Sequence, residues 1–71
     1  MTVEKLIDFI DSMMKIYETH SQFAREKLFK RMKEMTAHQI ETELMYIADM
    51  ESRAYALKLL LEDIEEHKDE F

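Results

Sequence analysis

The stretch 36-TAHQIETELMYIADMESRAYALKLLLEDIEEHK-68 decides the fold of this chain. It opens with Thr36 and Gln39, a hydroxyl and an amide three residues apart, which is the spacing of a capping box at the start of a helix. Apolar residues then recur in steps of three and four, which keeps them on one helix face. These residues are Ile40, Leu44, Ile47, Met50 or Glu51, Ala54, Leu57, Leu61 and Ile64. The pattern predicts a helix over residues 37–68.

The upstream sequence indicates a second helix over residues 3–34, with Thr2 as its N-cap. Its apolar side chains form two adjacent rows, and two such rows are broader than one neighbouring helix covers. The first row is Val3, Ile7, Ile10, Met14, Tyr17, Ala24, Leu28 and Met35, with Ser21 and Arg31 as polar members. The second row is Leu6, Phe9, Met13, Ile16, His20 and Phe23. We therefore expect a further packing partner on this side.

Residues 18–22 are the weakest part of the first helix, because several of them have low helix propensity. A bend near residues 19–22 would divide the chain into three helices, and a continuous helix would give a two-helix hairpin. The short turn at residues 35–36 makes the flanking helices antiparallel neighbours. The chain has no Gly and no Pro, which tight hairpin turns of sheets normally require. We predict an all-α protein, a single helical domain over residues 1–71 that forms an antiparallel hairpin.

The chain is short for an independent core, and it has no Cys to cross-link it. Charge is also unevenly divided. Residues 1–35 carry seven basic and six acidic side chains, whereas residues 36–71 carry three basic and ten acidic ones. In a hairpin the basic cluster at residues 25–33 lies at the turn, and the acidic cluster at residues 62–70 lies at the open end. The two clusters can therefore meet only between two copies of the chain. These features predict an antiparallel homodimer, in which two hairpins form a four-helix bundle.

The sequence favours binding over chemistry. The segment Leu6-Ile7-Asp8-Phe9-Ile10-Asp11 resembles the opening of the first helix of the small all-helical chorismate mutases. The site of that family needs Arg and Lys side chains that grip two carboxylates, and this chain has Tyr17-Glu18-Thr19-His20 where the family has an Arg. The three His residues lack the Glu-x-x-His spacing of di-iron bundles. We expect no catalytic residues, no cofactor and no metal site.

No apolar run is long enough to span a membrane, and the first residues do not resemble a signal peptide. The sequence therefore predicts a cytoplasmic protein. Its net charge of −6 favours a partner with a basic surface. We predict a protein-interaction module that acts as an adaptor, chaperone or inhibitor by occupying a partner surface. The candidate partner-binding residues are Glu43, Tyr46, Asp49, Met50 and Glu51.

The alternative function is RNA binding through the basic cluster at residues 25–33, where cations would contact phosphates and an aromatic ring would stack on a base. The residues of this cluster are Arg25, Lys27, Phe29, Lys30, Arg31 and Lys33. Such a protein would resemble in architecture the plasmid repressor-of-primer family, whose members are dimers of helical hairpins that grip paired RNA loops.

Overall fold

The computed structural model describes residues 1–70, and two long helices account for most of them. The first, α1, runs over Val3–Arg31, and the second, α2, runs over Ala37–Glu66. Each continues into a short 3-10 helix, Met32–Glu34 after α1 and Lys68–Glu70 after α2. The α-helices therefore end before residues 34 and 68, where the sequence pattern placed their ends. The predicted all-α hairpin is confirmed.

Both helices begin at the threonine caps that the sequence indicates. The hydroxyl of Thr2 accepts a hydrogen bond from the amide of Lys5 at 3.2 Å. At the start of α2 the capping box is complete. The Gln39 amide donates to the Thr36 hydroxyl at 3.2 Å, and the Thr36 amide donates to the Gln39 side chain at 2.9 Å. Two backbone donors that no helical carbonyl can reach are thereby satisfied.

The helix α1 is continuous through residues 19–22, so the chain adopts the two-helix alternative and not the bent, three-helix one. Ser21 is buried at this point, and its hydroxyl donates to the carbonyl of Glu18 at 2.9 Å. The hydrogen bond satisfies the hydroxyl within the helix, so the small side chain can face α2 without leaving a polar atom unpaired.

The connection between the helices is short and changes the direction of the chain. Met35 has extended backbone angles, and its amide donates to the carbonyl of Met32 at 3.2 Å. The two helices pack against each other along their length, and the hairpin measures 53 × 15 × 14 Å. The result is a rod only one helix pair thick.

The core is a single thin row of side chains between the helices. Its buried apolar residues are Ile10, Ala24, Leu28, Ile47, Met50, Ala54 and Ile64. At the turn end, Met35 and Ile40 pack on the cluster of Ala24, Leu28 and Ile47. Leu44, which the pattern placed in the core row, is 51% exposed, because it lies beside the row and two helices cannot enclose it. No helix within residues 1–70 has the length and apolar character to cross a membrane.

Candidate interaction surfaces

The first candidate surface lies along one side of the hairpin, where residues 1–70 cover the second apolar row of α1 only in part. We call it the groove face. Its large exposed members on α1 are Phe9, Ile16 and Phe23, which are 55%, 53% and 61% exposed. They are seven residues apart, so they project from the same side of α1 at intervals of about 10.5 Å. Tyr46 and Leu60 of α2 are also partly exposed and border the same side.

A groove of about 430 Å³ forms the turn end of this face. Its walls combine apolar side chains with charged ones. The apolar lining includes Phe23, Leu28, Met35 and Tyr46, and the charged lining is Lys27, Arg31 and Glu43. The ammonium of Lys27 lies 5.5 Å from the centre of the Phe23 ring, within cation–π range. The groove is therefore open and apolar at its base, with cations along one edge.

The second candidate surface lies on the side of α2 that faces away from α1. We call it the outer face of α2. Met45, Tyr55 and Leu59 are its large members, and they are 67%, 62% and 43% exposed. The small residues between them are Ala48, Ser52 and Ala56, all exposed. Acidic residues bound the strip at both ends, namely Glu41 before it and Glu62, Asp63 and Glu66 after it.

The structure places the five predicted partner-binding residues on different sides of α2. Glu43 and Tyr46 line the groove. Met50 is 8% exposed and belongs to the core. The carboxylate of Glu51 accepts hydrogen bonds from Arg25 of α1, and that of Asp49 lies 3.2 Å from Arg53. The five residues therefore do not form one continuous surface, because a helix turns about 100° per residue.

The basic cluster at residues 25–33 is exposed, but two of its cations already have partners. Arg25 pairs with Glu51 across the hairpin, and Lys27 lies over Phe23. Phe29 is 82% exposed. The remaining cations, Lys30, Arg31 and Lys33, are exposed around the turn end.

Two other ion pairs order the surface within single helices. The ammonium of Lys15 lies 2.8 Å from the Asp11 carboxylate, and this hydrogen bond raises the pKa of Lys15. The pKa of Arg53 is raised first by hydrogen bonding to Tyr17, over whose ring its guanidinium lies at 5.7 Å, and then by the charge of Asp49. Both pKa values move further above neutral pH, so both side chains are cations at physiological pH.

The three His residues lie apart. His20 lines the groove on α1, His38 is in the first turn of α2, and the ring of His67 lies 3.3 Å from the Glu70 carboxylate. Among residues 1–70, no three His, Asp or Glu side chains are grouped so that they could hold a metal ion.

Sequence reasoning missed Tyr55, the aromatic residue at the centre of the outer face of α2. The signal that could have found it is the strip itself, since Met45, Ser52 and Leu59 are seven residues apart and Tyr55 lies on the same side of the helix. Comparison of the chain with protein-family models, curated proteins and solved structures gives no match.

Proposed function

We propose that this protein is an interaction module, an antiparallel homodimer that holds another protein and acts as an adaptor, chaperone or inhibitor. The groove face serves self-association, and the outer face of α2 serves the second protein. The observation that carries the proposal is the number of large apolar side chains that one hairpin leaves in contact with water on two separate sides. Exposed apolar patches of this extent are typical of interaction sites.

The surface area of the hairpin supports self-association. One copy exposes 5850 Å². A compact monomer of 8.6 kDa is expected to expose about 4,700 Å², so the hairpin carries an excess of about 1,150 Å². A standard interface buries about 800 Å² of each partner. The excess is thus large enough for a stable dimer interface on each copy.

The charge distribution supports the antiparallel orientation. At the open end, residues 1–12 and 58–70 together carry three basic and nine acidic side chains, a net charge of −6. At the turn end, residues 25–43 carry five basic and four acidic ones, a net charge of +1. Two open ends side by side would repel strongly, whereas an open end beside a turn end would not. The four-helix bundle with turns at opposite ends is therefore favoured.

The outer face of α2 supports binding of a second protein, because the proposed dimer leaves it uncovered. The apolar strip from Met45 to Leu59 is about 21 Å long, which matches an amphipathic helix of about four turns. Acidic residues at both ends of the strip favour a helix with basic residues on its flanks. We propose that an amphipathic helix of basic character occupies this face. Of the five residues that the sequence suggested, Asp49 is the one that borders this face.

The test compares capture of partners by the unmodified protein and by the variant Tyr55→Glu. Aromatic anchors at the centre of an interface contribute most to binding, so this variant should lose at least tenfold in affinity for a captured partner. The captured protein is identified by mass spectrometry, and its affinity is measured with a purified segment that contains its basic amphipathic helix. The proposal is wrong if that segment binds Tyr55→Glu as tightly as the unmodified chain.

The matched control is Phe29→Glu, which also changes an exposed aromatic residue to a carboxylate but lies on α1. It should leave partner affinity unchanged. Because both side chains are exposed, both variants should retain the helical circular dichroism of the unmodified protein. A loss of binding in both variants would show that added negative charge, and not the outer face, determines the effect.

The second candidate function is RNA binding, and the exposure of Phe29 favours it. An aromatic ring that is 82% exposed beside Lys30 and Lys33 can stack on an unpaired base while the cations contact phosphates. A gel-shift assay with mixed RNA at low salt tests it. Binding that weakens steeply as salt rises and is lost in Phe29→Ala would favour RNA binding over protein binding.

A further inference from the structure

The antiparallel dimer, on which this inference rests, restricts how the four helices meet. The two hairpins stack face to face, and their turns lie at opposite ends. The two-fold axis that relates them must then lie in the plane of the interface and run across the helices. Such an axis places each helix over its own copy, so α1 packs on α1 and α2 packs on α2.

The spacing of the exposed residues on α1 fits this symmetry. Phe9 and Phe23 lie seven residues before and after Ile16, about 10.5 Å away in each direction. When two copies of α1 run in opposite directions with Ile16 at the axis, Phe9 of each copy meets Phe23 of the other. A contact of this kind is isologous, because the same patch supplies both sides of it.

Two residues between these three positions come close to the same symmetry. Met13 and His20 lie three residues before and four residues after Ile16, so across the axis they are neighbours offset by about 1.5 Å along the helix. The imidazole of His20 against the thioether of Met13 keeps this row largely apolar. The ring nitrogens of His20 can still reach the polar edge of the interface. The row from Leu6 to Phe23 is thus a heptad seam whose partner within the hairpin is absent.

The α2 side of the interface is more polar. Tyr46 and Leu60 lie seven residues before and after Arg53, so Tyr46 of one copy meets Leu60 of the other. The two Arg53 side chains approach at the axis, but each lies 3.2 Å from its own Asp49 and over the ring of its own Tyr17. This neutralises the charge locally. The α1 pair therefore supplies most of the apolar contact.

We infer that the second copy of this chain covers the groove face, in a register that places Ile16 on the two-fold axis and pairs Phe9 with Phe23 of the second copy. Seven-residue spacing about one residue supports this register. The charge difference between the two ends and an excess surface of the size that an interface buries support the antiparallel dimer on which the register rests.

Cysteine cross-linking tests the register directly, because the natural chain contains no Cys. Five variants are oxidised with copper phenanthroline at low micromolar concentration, and covalent dimers are measured by intact mass. Ile16→Cys should form a covalent dimer in most chains, since its two copies face each other at the axis. Phe9→Cys and Phe23→Cys alone should form little, and the double variant Phe9→Cys/Phe23→Cys should form a dimer with two disulfides. Ser52→Cys, on the outer face of α2, is the matched control and should stay unlinked.

Sedimentation equilibrium of the reduced proteins separates the two levels of the proposal. A molar mass of one chain for the unmodified protein would overturn both the homodimer and this register. A mass of two chains with no cross-linking of Ile16→Cys or of the double variant would overturn the register and leave the homodimer in place. If reduced Ile16→Cys is monomeric while the unmodified chain is dimeric, the double variant decides the register.

Discussion

The two helices of the hairpin differ most on the sides that they turn away from each other. The outward side of α1 is polar from its start until Phe29, with residues such as Asp8, Lys15 and Gln22. The outward side of α2 carries Met45, Tyr55 and Leu59 in the same middle part of the rod. α1 therefore has apolar rows on one broad side only, whereas α2 has large apolar side chains on more than one side.

This difference indicates different numbers of neighbours. A helix with one apolar side needs contacts on that side, and a helix with apolar side chains on several sides needs contacts on each of them. In the proposed dimer, α1 meets α2 and the second copy of α1, which accounts for its two rows. The same dimer gives α2 neighbours on two sides and leaves the outer face uncovered. The remaining apolar strip on α2 is the reason to expect a second protein.

The largest expected effect comes from removing a core contact of α2 and comparing it with an apolar contact just outside the core. Ile47 is the most buried side chain, and it packs on Ala24 and Leu28. Ile47→Ala should lower the free energy of unfolding by about 2–4 kcal/mol, because it removes buried methyl groups and leaves a cavity. The measurement is urea unfolding followed by circular dichroism at one fixed protomer concentration, since dimer stability depends on concentration.

The control is Leu44→Ala, one turn before Ile47 and 51% exposed. It should cost less than about 1 kcal/mol, because little of its side chain leaves water on folding. Equal losses in the two variants would mean that Leu44 is as enclosed as Ile47 and that the side of α2 bearing Leu44 has a neighbour.

Most of the fold follows from local rules that the sequence displays. The threonine caps at residues 2 and 36, the steps of three and four and the lack of Gly and Pro all act over a few residues. The ends of the α-helices were less predictable, because Met32–Glu34 and Lys68–Glu70 tighten into 3-10 turns. Low propensity near residues 19–22 left a bend open, but α1 is continuous there and the buried Ser21 hydroxyl donates to the Glu18 carbonyl within the helix.

The candidate surfaces were harder to predict than the fold. Whether Met50 or Glu51 faces the core depends on a rotation of about 100° between neighbours, and the packing of the two helices settles it. Met50 is buried and Glu51 pairs with Arg25, so a site drawn from adjacent residues was divided between sides. Exposure of the second row of α1 was predictable, because two adjacent apolar rows are broader than one neighbouring helix covers.

Removal of an N-cap should have an effect of intermediate size, and the effect should be larger at the start of α2 than at the start of α1. Thr36 makes a complete capping box, and Thr2 makes a single capping hydrogen bond at the end of the rod. Thr36→Ala should lower the free energy of unfolding by about 1 kcal/mol, and Thr2→Ala should lower it by a few tenths, because a fraying end has little helix to stabilise. Urea unfolding at matched protomer concentration measures both. A larger loss in Thr2→Ala would show that the open end is held by contacts that one hairpin does not make.

The smallest effect should come from the ion pair that joins the two helices on the side opposite the groove face. Glu51→Gln removes the charge that holds Arg25 and keeps the shape of the side chain. Both side chains are more than a third exposed, so the loss should be about 0.5 kcal/mol at low salt and should disappear near 1 M NaCl. Asp11→Asn is the control, because its ion pair with Lys15 lies within α1 and joins no residue of α2. If the cost of Glu51→Gln persists at high salt, Glu51 contributes through packing against α1, and the side that carries it is more enclosed than one hairpin makes it.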